Sequence, residues 1–275
     1  MSFTITDFLQ EVDKINSNNY NYGNDILYSS FKFSKDILPP PNTTKLGTEL
    51  SSAMSIIGKS YSADPTRSVP KGVLQNNGTG DAFGLLAGKI VEHPDYEDLY
   101  NRVKDLSNKT FNYRDDVNDD KEILINTIFC VALLNHILRN LIYNIAKDKG
   151  IDEVGKNTIS FCSKFLHFLC PNVFFIKDSI SLSNGNNIFK NLEKCTSLSK
   201  PTVCYSDISL KFYDDEKEKE ENAIKEYLAH VIRAYSVAKF LFDNQKVCYP
   251  QIGCDPLSSS YMPRLVDSIF MSYKI

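Results

Sequence analysis

The sequence predicts a mainly α-helical protein, and three observations predict it. The stretch Ile123–Ala146 is apolar nearly all round at helical period, the mark of a central buried helix. Ile224, Leu228, Val231, Tyr235, Ala238 and Phe242 follow one another in steps of four and three, which draws one apolar seam along a second long helix. Strand-like alternation is scarce, and no internal repeat is present.

Element by element, Thr6 offers an N-cap for a short helix through Ile15. Residues 16–28 are rich in Asn and Tyr and read as irregular. Pro39-Pro40-Pro41 is a stiff connector. Glu49–Lys59 reads as a short helix. Ser60–Gly80 carries Pro65, Pro70, Gly72, Gly78 and Gly80, so it reads as a long loop or lid. Asp81–Leu106 is helical with a break at His93-Pro94, and Asn112–Asp120 is acidic and turn-like. Asp119 or Asp120 can cap the central helix, which ends at Gly150. A turn over Asp152–Asn157 leads to a helix from Thr158 to Leu169, stopped by Pro171. An extended link over Asn172–Lys177 follows, then a short helix capped by Asp178, then a loop over Ser183–Asn187 with Gly185. The acidic run Asp214–Glu221 reads as a solvated face or helix start. A loop with Pro250, Gly253 and Pro256 leads to a last helix, with Pro263 in its first turn and Leu265, Ile269 and Phe270 on its buried side. Residues 1–110 are expected to form a helical and loop region packed on a helical core of residues 111–275.

The chain of 275 residues has a formal net charge of -3 and only six arginines, Arg67, Arg102, Arg114, Arg139, Arg233 and Arg264. That excludes a generic basic coater of nucleic acid. Much of the acidity sits in Asp214–Glu221, whose removal leaves the remainder near +1, so a local basic cleft around Lys156, Lys164 and Lys177 stays compatible. The seven cysteines form no C-x-x-C pair, and neither a metal nor a cofactor is expected. Cys130, Cys162 and Cys170 lie in apolar runs and read as core residues, while Cys248 and Cys254 can pair across a loop. The N-terminus lacks the pattern of a secretory signal, and Asn126, Asn135, His136, Arg139 and Asn140 make Ile123–Ala146 costly in lipid. A reducing, cytoplasmic setting without membrane contact is the expectation.

Chemistry concentrates in Ile159–Leu169, ISFCSKFLHFL. Ser160, Ser163, Lys164 and His167 recur at i, i+3, i+4 and i+7, one polar stripe on an apolar helix. Such a stripe meets solvent or lines a cleft. Lys164 stands mid-stripe among bulky apolar neighbours, where lost hydration favours the neutral, nucleophilic amine used in Schiff-base chemistry. Asp178 follows fourteen residues on, at a helix start that keeps a carboxylate charged. Plain structural roles fit the same residues: a solvated lysine, an N-capping aspartate, a hydrogen-bonded core histidine and two capping serines.

The stretch SFCSKFLHFLCPNVFFIKDS resembles a segment of bacterial proteins with an 8-oxoguanine DNA glycosylase-like fold, distant relatives of the helix–hairpin–helix DNA glycosylases. YMPRLVDSIFMSY resembles the closing helix of that family, with Arg264 and Asp267 in it. The resemblance implies a helix–hairpin–helix glycosylase-like fold, DNA as partner and a place in DNA repair or anti-phage defence. It implies Lys164 as the Schiff-base lysine and Asp178 as the carboxylate that stabilises the sugar cation. Ser160, Ser163 and His167 then face substrate, and Lys156, Arg67 and Lys71 contact nucleic acid. The chain departs from the family in four ways: one Gly, Gly155, in the hairpin position, a shorter Lys-to-Asp spacing, no Trp to stack on a base, and few arginines to grip phosphate. A non-catalytic module that binds nucleic acid or a partner protein on the same fold is the alternative. A helical interaction protein that dimerises through the Leu228, Val231 and Tyr235 seam is a third reading.

Overall fold

The computed structural model describes residues 3–17, 33–34, 37–41, 48–60, 63–68, 82–151, 158–208, 217–246 and 262–273. Among them the chain is mainly α, with no strand. The helices are α1 (Ile5–Ser17), α2 (Thr48–Ser60), α3 (Ala82–Val91), α4 (Tyr96–Leu106), α5 (Lys121–Lys147), α6 (Ile159–Leu169), α7 (Ser179–Cys195), α8 (Lys217–Asp243) and α9 (Met262–Ser272). The expected break at His93-Pro94 separates α3 from α4.

Helix α5 is the axis. It is long and apolar enough to cross a membrane by length and composition, yet two thirds of its apolar window, 67%, is buried inside the protein. It packs against α3, α4, α6 and α8. Gly150 ends it with φ of +74°, a left-handed conformation that glycine adopts without strain, and the Ile151 N–H returns to the Ala146 carbonyl at 3.1 Å. Helix α8 lays its seam on α5, α6, α7 and α9. Leu228, Val231 and Tyr235 are therefore buried within the chain, which corrects the expectation that this seam is free for dimerisation.

Several local expectations are corrected. The first helix begins at Ile5 and is capped by Thr4, whose hydroxyl accepts the Asp7 N–H at 3.1 Å, not by Thr6. Asp120 holds the N-cap position of α5 but makes no side-chain cap bond. Its carboxylate instead accepts the Asn112 N–H at 2.9 Å and the Tyr235 hydroxyl at 2.6 Å, tying the preceding loop to α8. Ser183–Asn187 is not a loop: it lies within α7, which runs seventeen residues. Gly185 is there for space, since a Cβ would stand 2.7 Å from Cε2 of Phe270. This close approach, with the Asn184 Nδ2 bond to the Phe270 carbonyl at 2.8 Å, sets α9 against α7.

Glu220 belongs to the charge run that reads as solvated, yet it is buried. It binds Asn135 Nδ2 at 3.1 Å, His136 Nδ1 at 3.4 Å and Arg139 Nη1 at 3.5 Å on α5. Asn135 in turn accepts both the N–H and the hydroxyl of Thr158 at 2.9 Å, which fixes where α6 begins.

A candidate lysine–carboxylate site at the α6–α7 corner

Between α6 and α7 the chain runs through a buried link, Val173–Ile176. A buried link without a strand partner must satisfy its backbone polar groups by other means. Here side chains do it. His167 Nδ1 donates to the Phe174 carbonyl at 2.6 Å, the Tyr227 hydroxyl to Phe175 at 3.0 Å, and His230 Nε2 to Ile176 at 2.8 Å. Ser163 Oγ accepts the Lys177 N–H at 3.1 Å. Burial lowers the pKa of both His167 and His230 to about 4, against the hydrogen bonds to Phe174 and Ile176, so both rings are neutral near pH 7. The link is thus held by α6 on one side and α8 on the other.

That frame delivers Asp178 to Lys164. Lys164 Nζ lies 3.2 Å from Asp178 Oδ2, with side-chain exposures of 5% and 17%. Asp178 is also the N-cap of α7. Its Oδ1 accepts the N–H of Ile180 at 3.0 Å and of Ser181 at 2.8 Å, while its own N–H donates to Ser181 Oγ at 2.8 Å, a closed capping box. Burial alone would raise this carboxyl. The Ser181 amide, the Lys164 ammonium and the Ile180 amide together outweigh that effect and hold it below the usual carboxylate range. Asp178 is therefore a fixed anion, with one oxygen on the helix and one on the lysine.

A second carboxyl bears on the pair electrostatically. Asp267, on α9, is pushed up to about 7 by burial and by the charge of Asp178, with Lys164 and Arg264 opposing. Its Oδ1 is enclosed and makes no hydrogen bond. Arg264, one turn earlier on α9, is buried and bears electrostatically on both Asp267 and His167. The corner thus pairs a buried amine with an anion of fixed charge, and burial with the charge of Asp178 pushes a nearby carboxyl, Asp267, up to about 7. Chemically the corner can hold a cation at Asp178.

The polar stripe of α6 is placed as follows. Ser160 is half-buried, whereas Ser163, Lys164 and His167 are all buried, so beyond its first member the stripe does not meet bulk solvent. Ser163 and His167 are turned to the link, and Lys164 to Asp178. Lys177, which the charge balance allows in a basic cleft, is ion-paired with Glu226. Lys156, Lys71 and the pair Cys248 and Cys254 lie outside the described residues. Arg67 falls in a 3-10 turn, Pro65–Ser68, whose backbone alone is described there. Cys130, Cys162 and Cys170 are buried free thiols.

Asp267 lies in the motif quoted for the closing helix but carries no role in the reading of the sequence. The signal for it was present: an aspartate between Val266 and Ile269, on the apolar side of a helix. Glu220 was masked by its charged neighbours, because the partners that bury it lie 84 and 85 residues away. No family model, no curated protein and no solved structure matches this chain.

Proposed function

We propose that this protein is a DNA glycosylase-like enzyme that removes a base from nucleic acid through a Schiff base on Lys164. The observation that carries the reading is the Lys164–Asp178 pair, 3.2 Å apart and held at a corner whose backbone is bonded on both sides. A lysine nucleophile needs an environment that withholds water, and Lys164 has one. A departing base leaves cationic character on the sugar, and a fixed, preorganised carboxylate is the group that stabilises it. Asp178 has that character because its charge is set by the α7 amides as well as by Lys164.

In this reading a nucleotide is first extruded from the duplex, at a cost of a few kcal/mol. Neutral Lys164 then attacks the sugar C1′ as the bond from C1′ to the base breaks, the electron pair leaving with the base. Opening of the sugar ring gives the imine, which can lose the 3′ phosphate by β-elimination. In this reading Ser160, half-buried in the first turn of α6, is the stripe residue open to substrate. A role in DNA repair or anti-phage defence, in the cytoplasm, belongs to the same reading.

One observation favours a second reading, a non-catalytic module that binds nucleic acid or a protein on this helical frame. Lys164 and Asp178 pair as an N-cap and its counter-ion, an arrangement that can serve the corner alone. Borohydride trapping on a lesion-bearing oligonucleotide separates the two. The enzyme forms a covalent complex that Lys164→Ala abolishes. The module forms none, and shows salt-sensitive binding that survives the substitution.

A further inference from the structure

We infer that Lys177 takes the phosphate beside a nucleotide held at Lys164 and Asp178, and that Glu226 occupies Lys177 until that phosphate displaces it. Both roles rest on the reading that the corner receives a nucleotide of DNA. Two neighbours in the sequence turn their side chains apart. Asp178 meets Lys164 on α6 at 3.2 Å, whereas Lys177 turns to α8, where its Nζ pairs with Glu226 Oε2. A cation thus stands next to the lysine–carboxylate pair without belonging to it. A sugar within reach of Lys164 carries a phosphate on either side, and a lysine ammonium is a ready partner for one.

Lys177 is built into the corner. Its N–H donates to Ser163 Oγ at 3.1 Å. The Ile176 carbonyl before it accepts from His230 Nε2 at 2.8 Å, and the Asp178 N–H after it donates to Ser181 Oγ at 2.8 Å. Three helices, α6, α7 and α8, therefore hold the backbone from which this side chain springs. The side chain is only 13% exposed, so its stem is covered and its ammonium has little room to wander. A free surface lysine loses side-chain entropy when it grips a phosphate; Lys177 has given up part of it on folding.

Glu226 is the mobile partner of the two. Its side chain is 51% exposed, so it regains water when it lets go, and a pair with one member in solvent holds weakly. A phosphate offers the same ammonium the same kind of charge-assisted bond. Exchange of one anion for the other spares the covered lysine an unpaired state.

The face of α8 that bears Glu226 supplies a second cation. Glu226, His230 and Arg233 recur at i, i+4 and i+7, and the bond from His230 to Ile176 sets that face against the link. The Arg233 Nε is enclosed without a hydrogen bond. Arg233 and Lys177 both bear on His230, and Glu226 bears on both cations. Displacing Glu226 leaves two positive charges there, which complements a phosphate. While Glu226 stays in place, loose contact with DNA gains little from Lys177, so the pair favours a nucleotide seated at the corner over bulk duplex.

Binding is measured with the whole protein and a duplex in which a tetrahydrofuran abasic analogue, unable to form an imine, replaces one nucleotide. Fluorescence anisotropy is followed over a range of salt. Glu226→Gln should bind about fivefold tighter than the wild type. Lys177→Gln should bind more weakly, with a dependence on log salt shallower by about 0.9. When Lys177→Gln is present, adding Glu226→Gln should bring no gain. Glu193→Gln removes the carboxylate from the exposed Lys200 pair, makes the same change in net charge, and should alter affinity far less. A gain in Glu226→Gln no larger than in Glu193→Gln overturns the inference, as does a gain that persists without Lys177, because Glu226 then acts through bulk charge alone. An unaltered salt dependence in Lys177→Gln overturns it too. Borohydride trapping on Lys164 beside any of those three results leaves the Schiff-base reading intact. The expected binding pattern without trapping overturns that reading and leaves the exchange at Lys177 standing. No binding by the wild type or by any variant overturns both.

Discussion

Asp178 closes the capping box of α7 with the same carboxylate whose other oxygen lies 3.2 Å from Lys164 Nζ. The start of α7 and the amine of Lys164 on α6 are thus held by a single side chain. Removing it should cost more than an N-cap is worth. We expect Asp178→Ala to lower stability by about 3–5 kcal/mol, since it removes the carboxylate paired with a buried lysine and also uncaps a helix. Lys164→Met should cost less, because the α7 amides still hold Asp178. The double substitution should show a coupling of about 1–3 kcal/mol in urea unfolding.

The two histidines that hold the link set the behaviour in acid. Each has its pKa lowered in the fold to about 4 from 6.5, so the unfolded chain takes up the proton first as pH falls. The stability they contribute is complete above about pH 6.5 and is lost as pH falls toward 4. A shift of this size is worth roughly 3 kcal/mol per ring. His230→Gln, which keeps an N–H for the Ile176 carbonyl, should flatten the slope of stability against pH by about 1.4 kcal/mol per unit between pH 4 and 6.5.

Asp267 acts with the opposite sign. Its pKa is raised to about 7 from 3.8, so the folded state binds its proton more tightly and gains stability as pH falls through 7 toward 4. Asp267→Asn removes that compensation. We expect the variant to be more stable than the wild type above pH 7 and to lose stability in acid more steeply, by about 1.4 kcal/mol per unit over the same window. Denaturant midpoints taken at half-unit steps of pH check both histidine and aspartate slopes.

How far the site could be seen in the sequence follows from distance along the chain. The corner was legible, because Pro171 stops α6, Asp178 precedes Ser-Ile-Ser, and the i, i+3, i+4, i+7 stripe marks Lys164. All of that is local. What seals the stripe is not local. His230 and Tyr227 reach the link from 54 and 52 residues away, and nothing near Ile176 or Phe175 announces them. Gly185 shows the same limit from the other side. Among Ser and Asn residues it reads as a turn, and only Phe270, far along the chain, explains it as a contact glycine inside a helix.

Gly185 gives a prediction against ordinary propensity. Alanine is the better helix former by about 1 kcal/mol, yet a Cβ here would stand 2.7 Å from Phe270. Gly185→Ala should therefore destabilise by about 1–3 kcal/mol. Phe270→Leu placed in the same chain should recover part of the loss, as read by thermal unfolding.

Glu220 should prove costly to remove. It is buried against Asn135, His136 and Arg139, so Glu220→Ala leaves a guanidinium without this carboxylate in the interior. A loss of about 3–5 kcal/mol is expected in urea unfolding, where an exposed member of the same charge run, Glu218, should change by less than about 0.5 kcal/mol.

Reduction of the protein with borohydride in the presence of oligonucleotides bearing 8-oxoguanine, uracil or an abasic site tests the Schiff-base reading most directly, when the attached residue is mapped by peptide mass. An adduct on Lys164, absent from Lys164→Ala, is the expected result. No adduct across the whole panel, or an adduct on a different lysine, would contradict it.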